Sequence, residues 1–198
     1  MTTLCVFCSS SREIEAAHLE VAALVGAGIG ERGWALVSGG GAISMMGEVA
    51  RSARRSGALT VGVIPMSLMD VEITDHDADE LIVTGDMRTR KATMDSRSDA
   101  FLAMAGGIGT LEELLEVWVA RTLGMHDKPV VVLDPEGVFA PLREQVETLV
   151  EQAFLRRSAA DALVWTSSVD EAFAALETGL ATRAFIAPTS AELLEDMP

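Results

Sequence analysis

Residues 101–118 read FLAMAGGIGTLEELLEVW, so an apolar run, a glycine-rich turn and a helical pattern follow one another directly. The run ends at Met104. The turn contains three glycines and a threonine: Gly106, Gly107, Gly109 and Thr110. A helix is predicted to begin at Thr110 as its cap, which puts Glu112 and Glu113 in its first turn. Such a turn directs unpaired N–H groups and the positive helix end to one point, and this favours a phosphate or carboxylate ligand.

The same alternation of apolar runs and helical periodicity continues along the whole chain. Seven apolar runs predict strands, at 4–7, 35–37, 59–64, 81–83, 100–104, 130–133 and 162–164. Six segments between them predict helices, near 16–32, 44–56, 87–98, 110–124, 136–153 and 168–178. Apolar strands separated by amphipathic helices indicate a parallel sheet covered on both faces. We therefore expect an α/β, doubly wound (Rossmann-like) fold.

Length and composition favour one domain with a small ligand. A chain of 198 residues, 49% of them hydrophobic, can bury one core, and we expect this domain over 1–182 with a C-terminal extension, able to flex, over 183–198. The net charge of −15 argues against nucleic acid or an anionic membrane as partner. The chain also lacks a membrane-length apolar run and a signal-peptide pattern, so we expect a cytoplasmic protein.

Two short motifs match functional patterns, but the segments around them do not favour those functions. Cys5 and Cys8 have C-x-x-C spacing, but a strand would point them to opposite faces, so we interpret them as buried, reduced thiols and expect no metal site. Residues 28–33, GIGERG, match a dinucleotide fingerprint, yet they close a predicted helix and precede a strand. A helix C-terminus with a left-handed glycine explains this motif better.

Ligands of such sheets bind at the carboxyl ends of the strands, which nominates the loops at 8–12, 38–44, 65–74 and 105–110. Ser10 lies in the first loop. The second begins SGGG, and Gly40 and Gly41 there would let the backbone approach a ligand closely.

Charged residues near the proposed anion site allow two interpretations each. The predicted helix at 87–98 carries four cations: Arg88, Arg90, Lys91 and Arg97. They could form a salt-bridged surface, but anion binding is favoured because the helix leads into the strand that feeds the glycine turn. Glu113 is equally well explained as the closing residue of a capping box from Thr110 or as a functional carboxylate.

Taken together, these motifs resemble the Lonely Guy family, phosphoribohydrolases that release a cytokinin base from its riboside 5′-monophosphate. The family's P-G-G-x-G-T-x-x-E appears as AGGIGTLEE at 105–113. Its R-K pair appears as Arg90–Lys91, and its G-G-G-x-x-G-L-M-G as GGGAISMMG at 39–47. Similar sequences are often labelled lysine decarboxylases, but the chain shows no convincing lysine for pyridoxal phosphate.

The resemblance implies a set of functional residues. The catalytic pair falls on Arg90 and Glu113. Substrate contacts fall on Glu72, Lys91, Gly106, Gly107, Gly109, Thr110 and Glu112. It further implies a nucleoside 5′-monophosphate substrate, neither metal nor cofactor, and at least a homodimer.

The chain departs from the family pattern at four positions: Ser9, Ser44, Ala105 and Trp118. The first two replace glycines, and Ala105 replaces a proline. Trp118 replaces a smaller residue near the substrate, but as an apolar helical residue it is equally explained as part of the core. The leading hypothesis is N-glycosidic hydrolysis of a purine riboside 5′-monophosphate to free base and ribose 5-phosphate. The alternatives are a weakly catalytic or non-catalytic nucleotide sensor and a nucleosidase with a wider range of nucleoside monophosphates.

Overall fold

The computed structural model describes residues 1–69 and 73–183, and within them the chain forms seven strands and eight helices. The strands are β1 (Thr3–Phe7), β2 (Ala35–Ser38), β3 (Thr60–Pro65), β4 (Glu80–Thr84), β5 (Ala100–Ala103), β6 (Val130–Leu133) and β7 (Leu163–Thr166). All pair in parallel, in the order β4-β3-β2-β1-β5-β6-β7. The predicted parallel sheet is confirmed.

Helices cover both faces of this sheet. They are α1 (Ala16–Glu31), α2 (Ser44–Arg55), α3 (Met66–Met69), α4 (Met87–Ser96), α5 (Ile108–Thr122), α6 (Ala140–Glu151), α7 (Arg157–Asp161) and α8 (Val169–Ala181). One buried cluster joins α1, α2 and α8 to the sheet, and the other joins α4, α5 and α6 to the opposite face. The doubly wound architecture follows, with the central strands buried between two helical layers and the edge strands β4 and β7 partly exposed.

The two cysteines illustrate the two faces. Cys5 packs in the cluster under α4 and α5, whereas Cys8 packs in the cluster under α1 and α2. Both are free and buried, and burial raises the pKa of each thiol above its ordinary value. The interpretation of C-x-x-C as buried, reduced thiols on opposite faces is confirmed.

Three local predictions needed correction. The short helices α3 and α7 were missed, because one turn of helix leaves no amphipathic period to detect. Helix α6 begins at Ala140 and not near residue 136. The Asp134 carboxylate accepts the N–H groups of Val138 and Phe139, at 2.8 Å each, and so holds the preceding segment in a turn.

The start of α5 also differs from the prediction. Gly107 is the N-cap and Ile108 the first helical residue, so Thr110 lies inside the helix, and Glu112 and Glu113 belong to its second turn. The assignment of Thr110 as the cap was therefore wrong. The prediction for GIGERG is confirmed, since α1 ends at Glu31 and Gly33 has φ +63°.

Most of the predicted C-terminal extension is not described. Residues 184–198, nearly all of the predicted extension, lie outside the described residues. Among the residues that are described, no helix is long and apolar enough to cross a membrane.

Ser44 adopts a conformation that disfavours a side chain. It begins α2 with φ +56°, and its buried Oγ has no hydrogen-bond partner among the described residues. We expect Ser44→Gly to raise the free energy of unfolding by about 0.5–1 kcal/mol, because glycine tolerates this conformation. Chemical denaturation measures the change. Ser96→Gly, in the last turn of α4, is the control and should instead lose stability; a loss at Ser44 as well would contradict the expectation.

Candidate active site

A crevice opens where the sheet reverses its strand order. The chain runs outward from β1 to β4 on one side and resumes beside β1 with β5, so the loops after β1 and β5 separate. A cavity of about 390 Å³ occupies this point. It is lined by Cys8, Ser9, Ser10, Ser11, Met46, Leu68, Met87, Arg90, Gly107, Ile108, Gly109, Thr110, Glu112 and Glu113. Three of the four loops that the sequence nominated, those at 8–12, 65–74 and 105–110, contribute residues to this lining.

Arg90 and Glu113 form a buried ion pair in the wall of this cavity. Arg90 Nη1 lies 2.7 Å from Glu113 Oε1, and the two residues are 6% and 8% exposed. Arg90 Nε also donates to the carbonyl of Val63 in β3, at 3.1 Å. The pair therefore connects α4, α5 and the sheet. Glu113 bonds to Arg90 and lies beyond the first turn, so the capping-box interpretation was wrong.

Burial and the guanidinium act on Glu113 in opposite directions. Burial raises the pKa of the Glu113 carboxyl above the ordinary glutamate value, and the positive charge of Arg90 limits that rise. A carboxyl in this position holds a proton more readily than a solvated glutamate, while the adjacent guanidinium favours its ionised form. Such groups are typical of catalytic sites.

Gly39 provides the space that the Arg90 guanidinium occupies. A β-carbon at Gly39 would overlap Arg90 Nη2 and also touch the Met46 side chain. The glycine triplet at 39–41 thus contributes to the site through packing against the arginine. Sequence reasoning selected Gly40 and Gly41 and missed Gly39, because the three glycines look alike without the position of α4.

We expect Gly39→Ala to lower stability by about 1–3 kcal/mol through this overlap. In an Arg90→Met background most of that cost should disappear, since the guanidinium is gone. A double-mutant cycle by thermal or chemical denaturation measures the coupling. Gly85→Ala, where an added methyl group meets nothing within 4 Å, is the matched control. Equal costs of Gly39→Ala in both backgrounds would rule out the contact with Arg90.

The N-terminus of α5 faces the same cavity. Its first backbone bond runs from Leu111 N–H to the Gly107 carbonyl, so the N–H groups of Ile108, Gly109 and Thr110 point out of the helix end. Gly106 does not line the cavity; a β-carbon there would overlap the buried Thr110 side chain. These features suit an anion, as the sequence predicted, and the substrate-binding roles of these residues remain predictions.

The loop after β1 supplies hydroxyl groups. Ser9 Oγ accepts the Ser11 N–H at 3.0 Å, and the Ser9 N–H donates to the Ala105 carbonyl at 3.1 Å. This second bond joins the two loops that frame the crevice. Ser10 lies in the cavity wall beside them, where the sequence placed it.

Other predicted ligand residues lie outside the cavity or are engaged elsewhere. Lys91 is ion-paired with Glu112 and Glu116, and of these three only Glu112 lines the cavity. Gly40 and Gly41 do not line it; they lie in the turn that pairs with the backbone of 73–75. Glu72 lies outside the described residues.

Comparisons with known proteins agree with these features. A family model described as "Possible lysine decarboxylase" matches residues 46–176. The chain is 46% identical, over 89% of its length and 94% of the relative's, to the cytokinin riboside 5′-monophosphate phosphoribohydrolase of Mycobacterium marinum. It is 49% identical, over 87% and 92%, to the protein of the same name from Mycobacterium tuberculosis. The chain belongs to the Lonely Guy family.

Solved structures support the fold. The molybdenum cofactor carrier protein of Chlamydomonas reinhardtii superposes with a TM-score of 0.69 at 24% identity, covering 91% of this chain and 98% of that one. The molybdenum cofactor binding protein of Rippkaea orientalis gives 0.68 at 21%, covering 89% and 96%. At these identities the likeness extends to the architecture alone.

The description of the matching family model, possible lysine decarboxylase, does not fit the lysines of this chain. The sequence contains two, Lys91 and Lys128. Lys91 is held by two glutamates, and Lys128 Nζ lies 2.6 Å from Asp95 Oδ1. A Schiff base with pyridoxal phosphate requires a free lysine amine.

Among the described residues, no cluster of three His, Cys, Asp or Glu side chains could hold a metal ion.

Trp118, a departure from the family pattern, belongs to the core. It is 6% exposed, and its indole N–H donates to the Ala159 carbonyl at 2.8 Å, which ties α5 to α7. It does not line the 390 Å³ cavity. The sequence allowed either position, because an apolar helical residue can face a core or a ligand.

The remaining cavity wall was not predicted. Met46, Leu68 and Met87 are apolar side chains from α2, α3 and α4. Leu68 and Met87 follow shortly after predicted strands, and this position at a strand end was the feature of the sequence that could have indicated them. Apolar side chains occur in every segment of this chain, so their type alone did not mark these three as part of a site.

Proposed function

We propose that the protein hydrolyses the N-glycosidic bond of a purine riboside 5′-monophosphate and releases free base and ribose 5-phosphate. One observation carries the proposal. The buried Arg90–Glu113 pair and the N-terminus of α5 face one cavity at the strand-order switch point. Anion binding and a buried carboxylate are thereby combined at a distance that one nucleotide can span. The phosphoribohydrolase names of the mycobacterial relatives agree with this chemistry.

The helix end would bind the 5′-phosphate. Its three outward N–H groups and the serine hydroxyls of the β1 loop supply donors, so a strongly acidic protein can still hold a dianion locally. Binding of the phosphate fixes the ribose relative to Glu113, which lies further along the same helix. Orientation of this kind lowers the entropic part of the barrier.

Glu113 would act on the sugar. The bond from ribose C1′ to the base nitrogen breaks, and its electron pair leaves with the base. Positive charge then develops on the ribose, which the Glu113 carboxylate stabilises from within the buried wall. A water molecule adds through its oxygen to C1′, and its proton is passed to the base. Arg90 favours the ionised form of Glu113 and fixes its rotamer through the 2.7 Å contact.

Measurement of the two products tests the proposed hydrolysis. Incubation with AMP and with isopentenyladenosine monophosphate, each followed by measurement of free base and of ribose 5-phosphate, should show equimolar release. Adenosine, which lacks the phosphate, should react far more slowly. Failure to release base from any nucleoside monophosphate would refute the proposal.

We also propose a homodimer that uses the exposed apolar face of α5. Leu115, Val119 and Leu123 are 38%, 50% and 56% exposed, and they border a groove of about 690 Å³ beside the site. Sedimentation should show a dimer, and Val119→Glu should shift it toward monomer; a monomeric wild type would contradict this.

We further propose a cytoplasmic location. The free thiols of Cys5 and Cys8 agree with a reducing compartment of this kind.

A further inference from the structure

A second buried ion pair lies outside the active-site cavity. Arg54, in the last turn of α2, donates from Nη1 to Asp75 Oδ2 at 2.8 Å and from Nη2 to Asp75 Oδ1 at 3.1 Å. Their side chains are 19% and 7% exposed. In every other ion pair of the described residues except Arg90–Glu113, at least one side chain is 38% or more exposed. Two parallel bonds shielded from water fix the orientation of both partners as well as their distance.

The polar atoms of this pair are engaged within the protein. Asp75 Oδ1 also accepts the Asp77 N–H at 3.3 Å, and Arg54 Nη1 also donates to Thr60 Oγ1 at 3.2 Å. Neither Arg54 nor Asp75 lines the 390 Å³ cavity. The pair is therefore placed to hold segments of the chain together and not to bind a substrate.

Asp75 is part of a short backbone ladder beside the glycine turn. Segment 73–75 runs antiparallel to segment 40–42. Two backbone hydrogen bonds, of 2.7 and 2.8 Å, join the segments, and the longer one runs from the Asp75 N–H to the Gly40 carbonyl. Because Arg54 holds the Asp75 side chain, the glycine turn is connected through this ladder to the C-terminal end of α2.

The glycine turn in turn supports Arg90 at two points. Gly39 leaves the space that Arg90 Nη2 fills. Gly40, with φ +76°, packs so closely on β3 that a β-carbon there would lie 3.3 Å from Val63 N, and the Val63 carbonyl accepts Arg90 Nε at 3.1 Å. A displacement of the turn would thus move the Arg90 guanidinium relative to Glu113, whose Oε1 lies 2.7 Å away.

We propose that Arg54 and Asp75 are positioning residues for Arg90. By holding segment 73–75 against the glycine turn, the pair keeps the guanidinium aligned with Glu113 and makes no contact with the substrate. The inference rests on the proposed function, which makes Arg90 and Glu113 the reactive pair. Because a misplacement of about 1 Å can lower a rate strongly, support of this kind should affect kcat more than ligand affinity.

The first test follows the carboxyl group of Glu113 and needs no turnover. Burial raises the pKa of Glu113, and the positive charge of Arg90 opposes that rise. In Asp75→Asn the guanidinium is held less firmly, so the Glu113 carboxyl should titrate at higher pH than in wild type. Loss of the negative charge at Asp75 would by itself lower this pKa, so a rise identifies a displaced Arg90. Carbon-13 NMR of labelled glutamate side chains measures the titration, and the spectrum of Glu113→Gln assigns the signal.

The matched control for this titration is Asp77→Asn. Asp77 is an exposed residue of the same loop, and only its backbone N–H contacts Asp75. The substitution removes one negative charge, as Asp75→Asn does, but leaves the ion pair with Arg54 in place. The Glu113 carboxyl should therefore titrate in this variant as it does in wild type.

The second test is kinetic. Asp75→Asn and Arg54→Met should each lower kcat about 10–100-fold and leave binding of ribose 5-phosphate within about threefold of wild type, because the anion site on α5 is untouched. Arg54→Lys keeps the charge without the second bond and should lie between Arg54→Met and wild type. Arg55→Met is the control: Arg55 is the next residue of α2, its pair with Glu48 is exposed, and kcat should change by less than about twofold.

A double-mutant cycle separates positioning from a general loss of stability. In an Arg90→Met background, Asp75→Asn should lower kcat by no more than about twofold further, because the group that it positions is gone. A second loss as large as the first would overturn the proposal. So would a folded Asp75→Asn protein in which Glu113 titrates as in wild type or at lower pH, or in which kcat is unchanged. If wild type releases no base while Asp75→Asn still raises the titration of Glu113, the hydrolase proposal fails and the positioning of Arg90 stands.

Discussion

Glu113→Gln is expected to lower kcat for a nucleoside monophosphate by about 10²–10⁴-fold, the usual contribution of a positioned catalytic carboxyl group. The amide oxygen of glutamine can still accept the bond from Arg90, so the site geometry and the ligand affinity should remain close to those of wild type, although the buried guanidinium loses its counter-charge and the fold loses some stability. The substitution removes the negative charge near the ribose. Single-turnover measurement of base release, with calorimetry of AMP binding, separates the loss of chemistry from a loss of binding.

Glu116→Gln is the matched control. Glu116 lies one turn further along α5, is ion-paired with Lys91 and does not line the 390 Å³ cavity. Its side chain is 52% exposed, so removal of its charge should change kcat by less than about threefold. If Glu113→Gln kept more than a tenth of the wild-type kcat, Glu113 would not be the catalytic carboxylate.

Arg90→Met should cost the protein about 3–5 kcal/mol of unfolding free energy at neutral pH, because it leaves the buried Glu113 without its cationic partner. In wild type the guanidinium already opposes the rise that burial gives to the pKa of Glu113. Without it that pKa rises further above the unfolded value of about 4.3. A raised acid pKa destabilises the folded state as pH increases through the interval between these two values. The loss should therefore be smallest near pH 4 and should grow as pH rises above the unfolded value.

Denaturation of Arg90→Met from pH 4 to pH 8 measures this dependence. Arg97→Met is the control, since the Arg97–Glu80 pair is about half exposed and should contribute no more than about 1 kcal/mol at any pH in this range. The remaining activity of Arg90→Met should also shift its acid limb to higher pH. A cost independent of pH would show that Arg90 stabilises the fold by packing alone.

The fold could be predicted in most of its elements, because buried strands and amphipathic helices differ in local period. Helix boundaries were less predictable where side chains rather than periodicity set them. Asp134 delays the start of α6 by holding the residues before it, and Gly107 starts α5 earlier than Thr110 suggested. Both effects depend on local hydrogen bonds or a local turn, which no periodic pattern encodes.

The sequence by itself determined the alternation of strands and helices, the loops at the strand ends and, through the family motifs, the candidates Arg90 and Glu113. It did not determine their pairing, because the glutamate of a capping box and a catalytic glutamate cannot be distinguished until α4 is packed against α5. The tertiary structure decided this pairing, the role of Gly39 beneath Arg90, and the meeting of Met46, Leu68 and Met87 in one wall. The physical reason is that these contacts depend on strand order. Periodicity reports which face of an element is buried, but not that β5 lies beside β1.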